Sequence, residues 1–153
     1  MKKLKKILAL IVMISCVCAN FAYAAERTTS VSPRMIPYTV FDKDGNVTET
    51  GFFSNDARYS TKVTLNAGSW VVAPSDGIWA SSDTTMHIIY SINRAARHEY
   101  KFLCDSVPVD LETYTGTRTS KNSWISTGTE GFYSVQLKNL SSDPITVSIT
   151  MEW

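Results

Sequence analysis

The strongest constraint on this chain's fold is the odd–even placing of its apolar side chains, which is sharpest at the C-terminal end. Tyr133, Val135 and Leu137 alternate with Ser134, Gln136 and Lys138. After a turn over 139–144, Ile145, Val147, Ile149, Met151 and Trp153 alternate with Thr146, Ser148, Thr150 and Glu152. Successive side chains of a strand point to opposite faces, so a period of two marks a strand with one dry and one wet side. The two runs together predict a hairpin with one greasy side, and the phase puts Trp153 in the core. Removing residues 151–153 is therefore expected to expose core and unfold the domain.

The same period recurs upstream. A strand over 38–41, a turn of Asp42, Lys43, Asp44, Gly45 and Asn46, and a return over 47–53 read as a hairpin, with Gly45 placed for positive φ. Over 59–65, Tyr59, Thr61, Val63 and Leu65 share one face. A strand over 69–73 is followed by a tight turn at Pro74, Ser75, Asp76 and Gly77, then by Ile78, Trp79 and Ala80. Met86, Ile88, Tyr90 and Ile92 share a face over 85–92, as do Tyr100, Phe102 and Cys104 over 100–105. The segment 93–99 alone has helical character; one or two turns of helix, or a hairpin loop, would suit its length. A weak strand over 107–114, a polar loop over 115–122 and a short strand over 123–126 around Trp124 complete the pattern.

About ten short strands with frequent turns predict an all-β fold: an antiparallel two-sheet sandwich of jelly-roll or immunoglobulin-like type. Strand order is not readable from the pattern.

The N-terminus has a different character. Lys2, Lys3, Lys5 and Lys6 precede the apolar run 7–18, and Ala22, Tyr23 and Ala24 form a small-residue cleavage site. This is a secretory signal, with cleavage expected after Ala24; the apolar run is too short for a membrane span, which needs about 20 residues. Cys16 follows a weaker lipobox-like context, the competing route to a lipid anchor. The predicted organisation is a signal peptide at 1–24, a flexible leader at 25–37 and one sandwich domain at 38–153. The chain carries 15 basic and 14 acidic residues. Four lysines and no acid lie in the signal, so the mature domain is acidic, without the footprint of a nucleic-acid or anionic-membrane binder. Of the three cysteines, Cys16 and Cys18 leave with the signal. Cys104 alone remains, and no internal disulfide can form. These features suit a bacterial protein in an extracellular space. Asn46-Val47-Thr48 and Asn139-Leu140-Ser141 read as chance matches to the glycosylation triplet.

No catalytic, metal or cofactor motif assembles. The Asp42 turn resembles the start of a calcium loop, but an EF-hand wants Gly at the sixth position and Glu at the twelfth; Gly45 and Phe53 stand at the fourth and twelfth. Cys104 with His98 or His87 would form a thiol hydrolase, yet Cys104 shares its face with Tyr100 and Phe102 and reads as core. Arg94, Arg97, His98 and Lys101 form a local basic cluster able to grip an anion or acidic partner. Of the four tryptophans, Trp79 and Trp124 lie beside turns and are the candidates for exposure and ligand contact. The expectation is a secreted, non-enzymatic binding or coating protein whose partner is a glycan or a protein surface. A small thiol hydrolase and a secreted toxin or inhibitor are the alternatives.

Overall fold

The computed structural model describes residues 35–54, 62–116 and 118–153. The expected signal peptide and most of the leader lie outside them, as do Tyr59 and Thr61. Ten strands follow in order: β1 (Met35–Phe41), β2 (Val47–Ser54), β3 (Val63–Leu65), β4 (Trp70–Ala80), β5 (Thr85–Ile92), β6 (Arg97–Cys104), β7 (Val107–Thr115), β8 (Ser120–Ser126), β9 (Gly131–Asn139) and β10 (Ile145–Glu152). They form a six-stranded sheet, β2-β1-β4-β9-β6-β7, and a four-stranded sheet, β3-β10-β5-β8. Every neighbouring pair is antiparallel. The inward side chains of both sheets form one core cluster, and Tyr90 of β5 stacks on Tyr100 of β6 at 5.6 Å between ring centroids. The all-β two-sheet sandwich read from the alternation is the fold observed.

β1–β2 and β6–β7 are hairpins; every other connection changes sheet. An immunoglobulin sandwich keeps three of its successive strand pairs within one sheet. The constant crossing places this chain on the jelly-roll side of the two types the sequence left open. In the first hairpin, Asp42 Oδ1 accepts hydrogen bonds from the backbone N–H of Asp44 and Asn46, both at 2.9 Å, and Gly45 takes φ +88°. The Asp42 carboxylate is thus spent on the turn, and bonds from Asn46 hold its pKa below the usual carboxylate range.

The C-terminal pair departs from the expected hairpin. β9 lies between β4 and β6 in the larger sheet, whereas β10 lies between β3 and β5 in the smaller. Their greasy sides face each other across the core instead of lying side by side. Alternation specifies which side of a strand is dry but not whether its successor pairs with it or covers it. The crossover is tied by Asn139, which is fully buried. Its Nδ2 donates to the carbonyls of Leu65 (3.0 Å) and Asp143 (2.8 Å), and its Oδ1 accepts from Ser141 N (2.9 Å) and Ser141 Oγ (2.6 Å). A buried carboxamide needs such partners. Tyr133, Val135, Leu137, Ile145, Val147, Ile149 and Met151 are all buried, and each contributes about 1.5–3 kcal/mol of apolar burial.

Four further differences have local causes. β1 begins at Met35, three residues before the strand expected from Tyr38. The expected turn at 74–77 is a bulge inside β4. Ala73 pairs with Val135 and Ile78 with Tyr133, so β4 spends five residues where β9 spends two. Gly77 makes this possible: its φ is +74°, and a Cβ there would lie 2.8 Å from Phe132 Cβ. Segment 93–99 is neither helix nor hairpin loop. β6 starts at Arg97, and Asn93, bonded by its N–H and its Oδ1 to Thr146, carries the chain between sheets. β8 starts at Ser120, inside the expected polar loop, because Lys121 turns inward. Its Nζ sits 4.0 Å from the Tyr100 ring centroid and 3.0 Å from Glu112 Oε2. Trp153 follows the end of β10 and is 41% exposed, not core; the burial alternation ends with Met151.

Candidate functional site

The outer face of the six-stranded sheet carries a groove of about 560 Å³, within the range of ligand clefts. It runs across β1, β4, β9 and β6, about 15 Å at ordinary strand spacing. The register explains its lining. Phe41, Trp70 and Lys138 are successive cross-strand neighbours. Phe41 and Trp70 stack at 5.2 Å with planes 14° apart, and Lys138 Nζ lies 5.2 Å from the indole centroid. At the other end Phe132 lines the groove, and Trp79, its pairing partner on β4, stands beside it. These two rings are 52% and 58% exposed. Ser134 and Gln136 supply the polar floor, and Asp76 on the β4 bulge supplies a carboxylate.

Asp105 and Ser106, the two-residue turn between β6 and β7, close one side of the groove. Both take left-handed backbone, φ +49° and +68°, where glycine is the cheaper residue. Asp105 earns its place through its side chain: Oδ1 accepts from Phe132 N–H at 3.1 Å and so holds the aromatic end of the groove. Aromatic faces at both ends, with hydroxyl, carboxamide and carboxylate groups between, can stack on rings and hydrogen-bond their substituents.

Trp124 is also exposed, at 67%, but on the outer face of the four-stranded sheet. Its indole lies parallel to the His87 imidazole, 4.0 Å between centroids and 5° between planes. His87 Nδ1 is 2.9 Å from Glu152 Oε2, and Nε2 is 2.8 Å from Asn122 Oδ1. Both partner atoms accept, an arrangement that favours the protonated ring. The Glu152 hydrogen bond, with that of Asn122, raises its pKa accordingly. Trp79 and Trp124 therefore occupy opposed faces and cannot share one ligand ring.

The four basic residues grouped by sequence are not brought together. His98 points inward and is 1% exposed; it lies 2.9 Å from Tyr90 Oη and 2.8 Å from the Ala96 carbonyl. Burial pushes its pKa down. Arg94 pairs with Asp143 at 3.1 Å, on the turn before β6. Lys101 pairs with Glu99 at 2.8 Å. Arg97 and Lys101 share the outward face of β6, and Lys101 is the register neighbour of Gln136 at the groove floor. Cys104 is buried, with Thr129 Oγ1 at 3.7 Å and Asp105 Oδ2 at 3.9 Å as its polar neighbours; both imidazoles are engaged elsewhere. Among the described residues no three His, Cys, Asp or Glu side chains gather as a metal site, and no helix is long and apolar enough to cross a membrane.

Sequence reasoning missed Phe41, Trp70, Phe132, Asp76, Asp105, Ser106 and Gln136. One signal was available. Phe132 shares its phase with Ser134, Gln136 and Lys138, so it is an aromatic on a strand's wet face. The convergence of four strands on one groove had no sequence signal.

No protein-family model matches the chain, and no curated protein does. Among solved structures it is similar to three carbohydrate-binding modules. One is the module CBM36 in complex with calcium and xylotriose, at 19% identity over 61% of this chain and 87% of that one, TM-score 0.38. A second is the apo form of BiXyn10A CBM1, at 11% identity over 74% and 80%, TM-score 0.37. The third is the C-terminal CBM6 of LamC, a marine laminarinase from Zobellia galactanivorans, at 14% identity over 80% and 93%, TM-score 0.36.

Proposed function

We propose that this chain is a secreted, non-catalytic binding module that takes a glycan chain in the groove of its six-stranded sheet. One observation carries the reading: a long open groove with the Phe41–Trp70 stack at one end, Phe132 and Trp79 at the other, and Ser134, Gln136 and Asp76 between. A sugar ring has an apolar C–H face for the aromatics and a rim of hydroxyls for the polar groups. The groove lies on paired strands, so its shape is set before a ligand arrives, which lowers the cost of binding. The thiol of Cys104 sits in the core side of β6, away from both histidines, and a nucleophile would need an adjacent base. The export signal read at 1–24, with cleavage expected after Ala24, supports a place outside the cell.

The test is migration through native gels cast with soluble polysaccharides, comparing wild type with Phe132→Ala and Trp79→Ala. Retardation by at least one polysaccharide, weakened about tenfold by Phe132→Ala, is the expected result. Wild type unretarded by every polysaccharide would sink the reading.

A second reading, association through the free edge of β7, rests on Val107, Val109 and Leu111, each more than half exposed on that strand. Light scattering across a concentration series tests it; a monomer at every concentration ends self-association.

A further inference from the structure

We propose that Trp124, held against His87, is a second glycan-binding site, which takes one sugar ring on the face of the sandwich opposite the groove. The proposal stands on the Trp124–His87 geometry and not on occupancy of the groove.

A lone exposed tryptophan would carry nothing. Here the ring is built into a fixed platform. Glu152, His87 and Trp124 are register neighbours across β10, β5 and β8. Glu152 and Asn122 hold the imidazole by both nitrogens, and the imidazole holds the indole flat against it. The 4.0 Å ring separation is close to the spacing of two adjacent strands, so the two rings stand side by side. β8 is the last strand of its sheet. The second face of the indole is therefore turned past the sheet edge, where no further strand among the described residues covers it. A ring fixed before binding loses little rotamer freedom when a ligand stacks on it.

The surroundings select the occupant. Trp124 is the single large apolar side chain exposed on the four-stranded sheet among the described residues. Around it the outward positions are Asn122 and Ser126 on β8, Thr85 and Ile89 on β5 and Thr150 on β10; of these only Ile89, half-buried, is apolar. A protein partner of ordinary affinity needs a contiguous apolar centre, and a single exposed ring among mainly polar positions does not provide one. A pyranose ring matches it: one C–H face for the indole, with hydroxyls for the side chains beside it. Because the two sites lie on opposed faces, one molecule can bridge two polymer chains.

The experiment uses native gels cast with xylan, laminarin or hydroxyethyl cellulose, and compares wild type with Trp124→Ala, Trp124→Phe and Phe132→Ala, each checked for an unchanged thermal transition. Trp124→Ala should weaken retention on at least one of these polysaccharides by about tenfold, with Trp124→Phe keeping most of it. Turbidity of mixtures with that polysaccharide should require both Trp124 and Phe132. Retention of Trp124→Ala equal to wild type on all three would overturn the second site, whatever Phe132→Ala does. Loss in Trp124→Ala with none in Phe132→Ala would keep this site and remove the groove. Absence of retention in wild type would overturn both.

Discussion

His87 and His98 make an internal comparison within one sandwich. Each engages both ring nitrogens, and each packs against an aromatic ring, Trp124 at 4.0 Å or Tyr114 at 4.9 Å. On the outer face, His87 faces the Glu152 carboxylate and the Asn122 carboxamide oxygen, and its pKa is raised. In the core, His98 donates from Nδ1 to the Ala96 carbonyl, which leaves Nε2 to accept from the Tyr90 hydroxyl. That ring is neutral with a fixed tautomer, and burial lowers its pKa. The lesson is that the charge of an imidazole, and hence its use, follows from the side of the strand it occupies. The outer histidine is a prop for an exposed indole; the inner one is part of the packing.

Four measurements test the separation of inner from outer. The largest effect is expected from deleting residues 151–153, which removes buried Met151 together with outer Glu152. Loss of the Met151 side chain alone costs about 2–5 kcal/mol, so urea denaturation should show a collapsed or absent transition. Glu152→Gln by itself should shift the free energy by about 0.5 kcal/mol or less. A truncated chain that unfolds like wild type would break the distinction.

Next comes His98→Ala, which leaves a cavity and strips the Tyr90 hydroxyl of its partner. The expected loss is about 2–4 kcal/mol and should exceed that of His87→Ala. Equal losses would mean that position on the strand does not set the contribution.

Third, the two histidines should give opposite pH signatures about the ordinary value of 6.5. His98 has a depressed folded pKa, so the unfolded chain binds more protons. Its contribution is complete above 6.5 and is lost as pH falls below it. His87 has a raised folded pKa, so the folded chain binds more protons. Its contribution is complete below 6.5 and is lost as pH rises through the folded value. Denaturation midpoints across pH 5–8 should therefore lose their acid-side decline in His98→Gln and their alkaline-side decline in His87→Gln. The same slope in both variants would contradict the assignment. The smallest effect is that of Trp124→Ala on stability, about 0.5 kcal/mol or less, since the ring covers only an outer histidine.

Much of this was legible in the residues. His98 shares its phase with buried Tyr100 and Phe102, and His87 lies between buried Met86 and Ile88, so alternation already separates the two. Grouping His98 with Arg94, Arg97 and Lys101 followed proximity in sequence, which a strand does not respect: neighbours point to opposite faces. Lys121 was hidden for a related reason. Its segment is polar throughout, and only the Tyr100 ring and the Asp110 and Glu112 carboxylates on the facing sheet give an ammonium cause to turn inward.

By itself the sequence determined the all-β class and the dry side of most strands, because side-chain period is a local property and burial of one face is its direct consequence. It determined the exposure of neither the groove nor the platform, and it did not distinguish a hairpin from a crossover at the C-terminus. Those were decided by pairing between residues far apart in the chain. Phe41 meets Trp70, Trp79 meets Phe132, and His87 meets both Trp124 and Glu152. Such neighbours arise only when register and strand order are set, and the free energy that sets them belongs to the assembled core, not to any one segment.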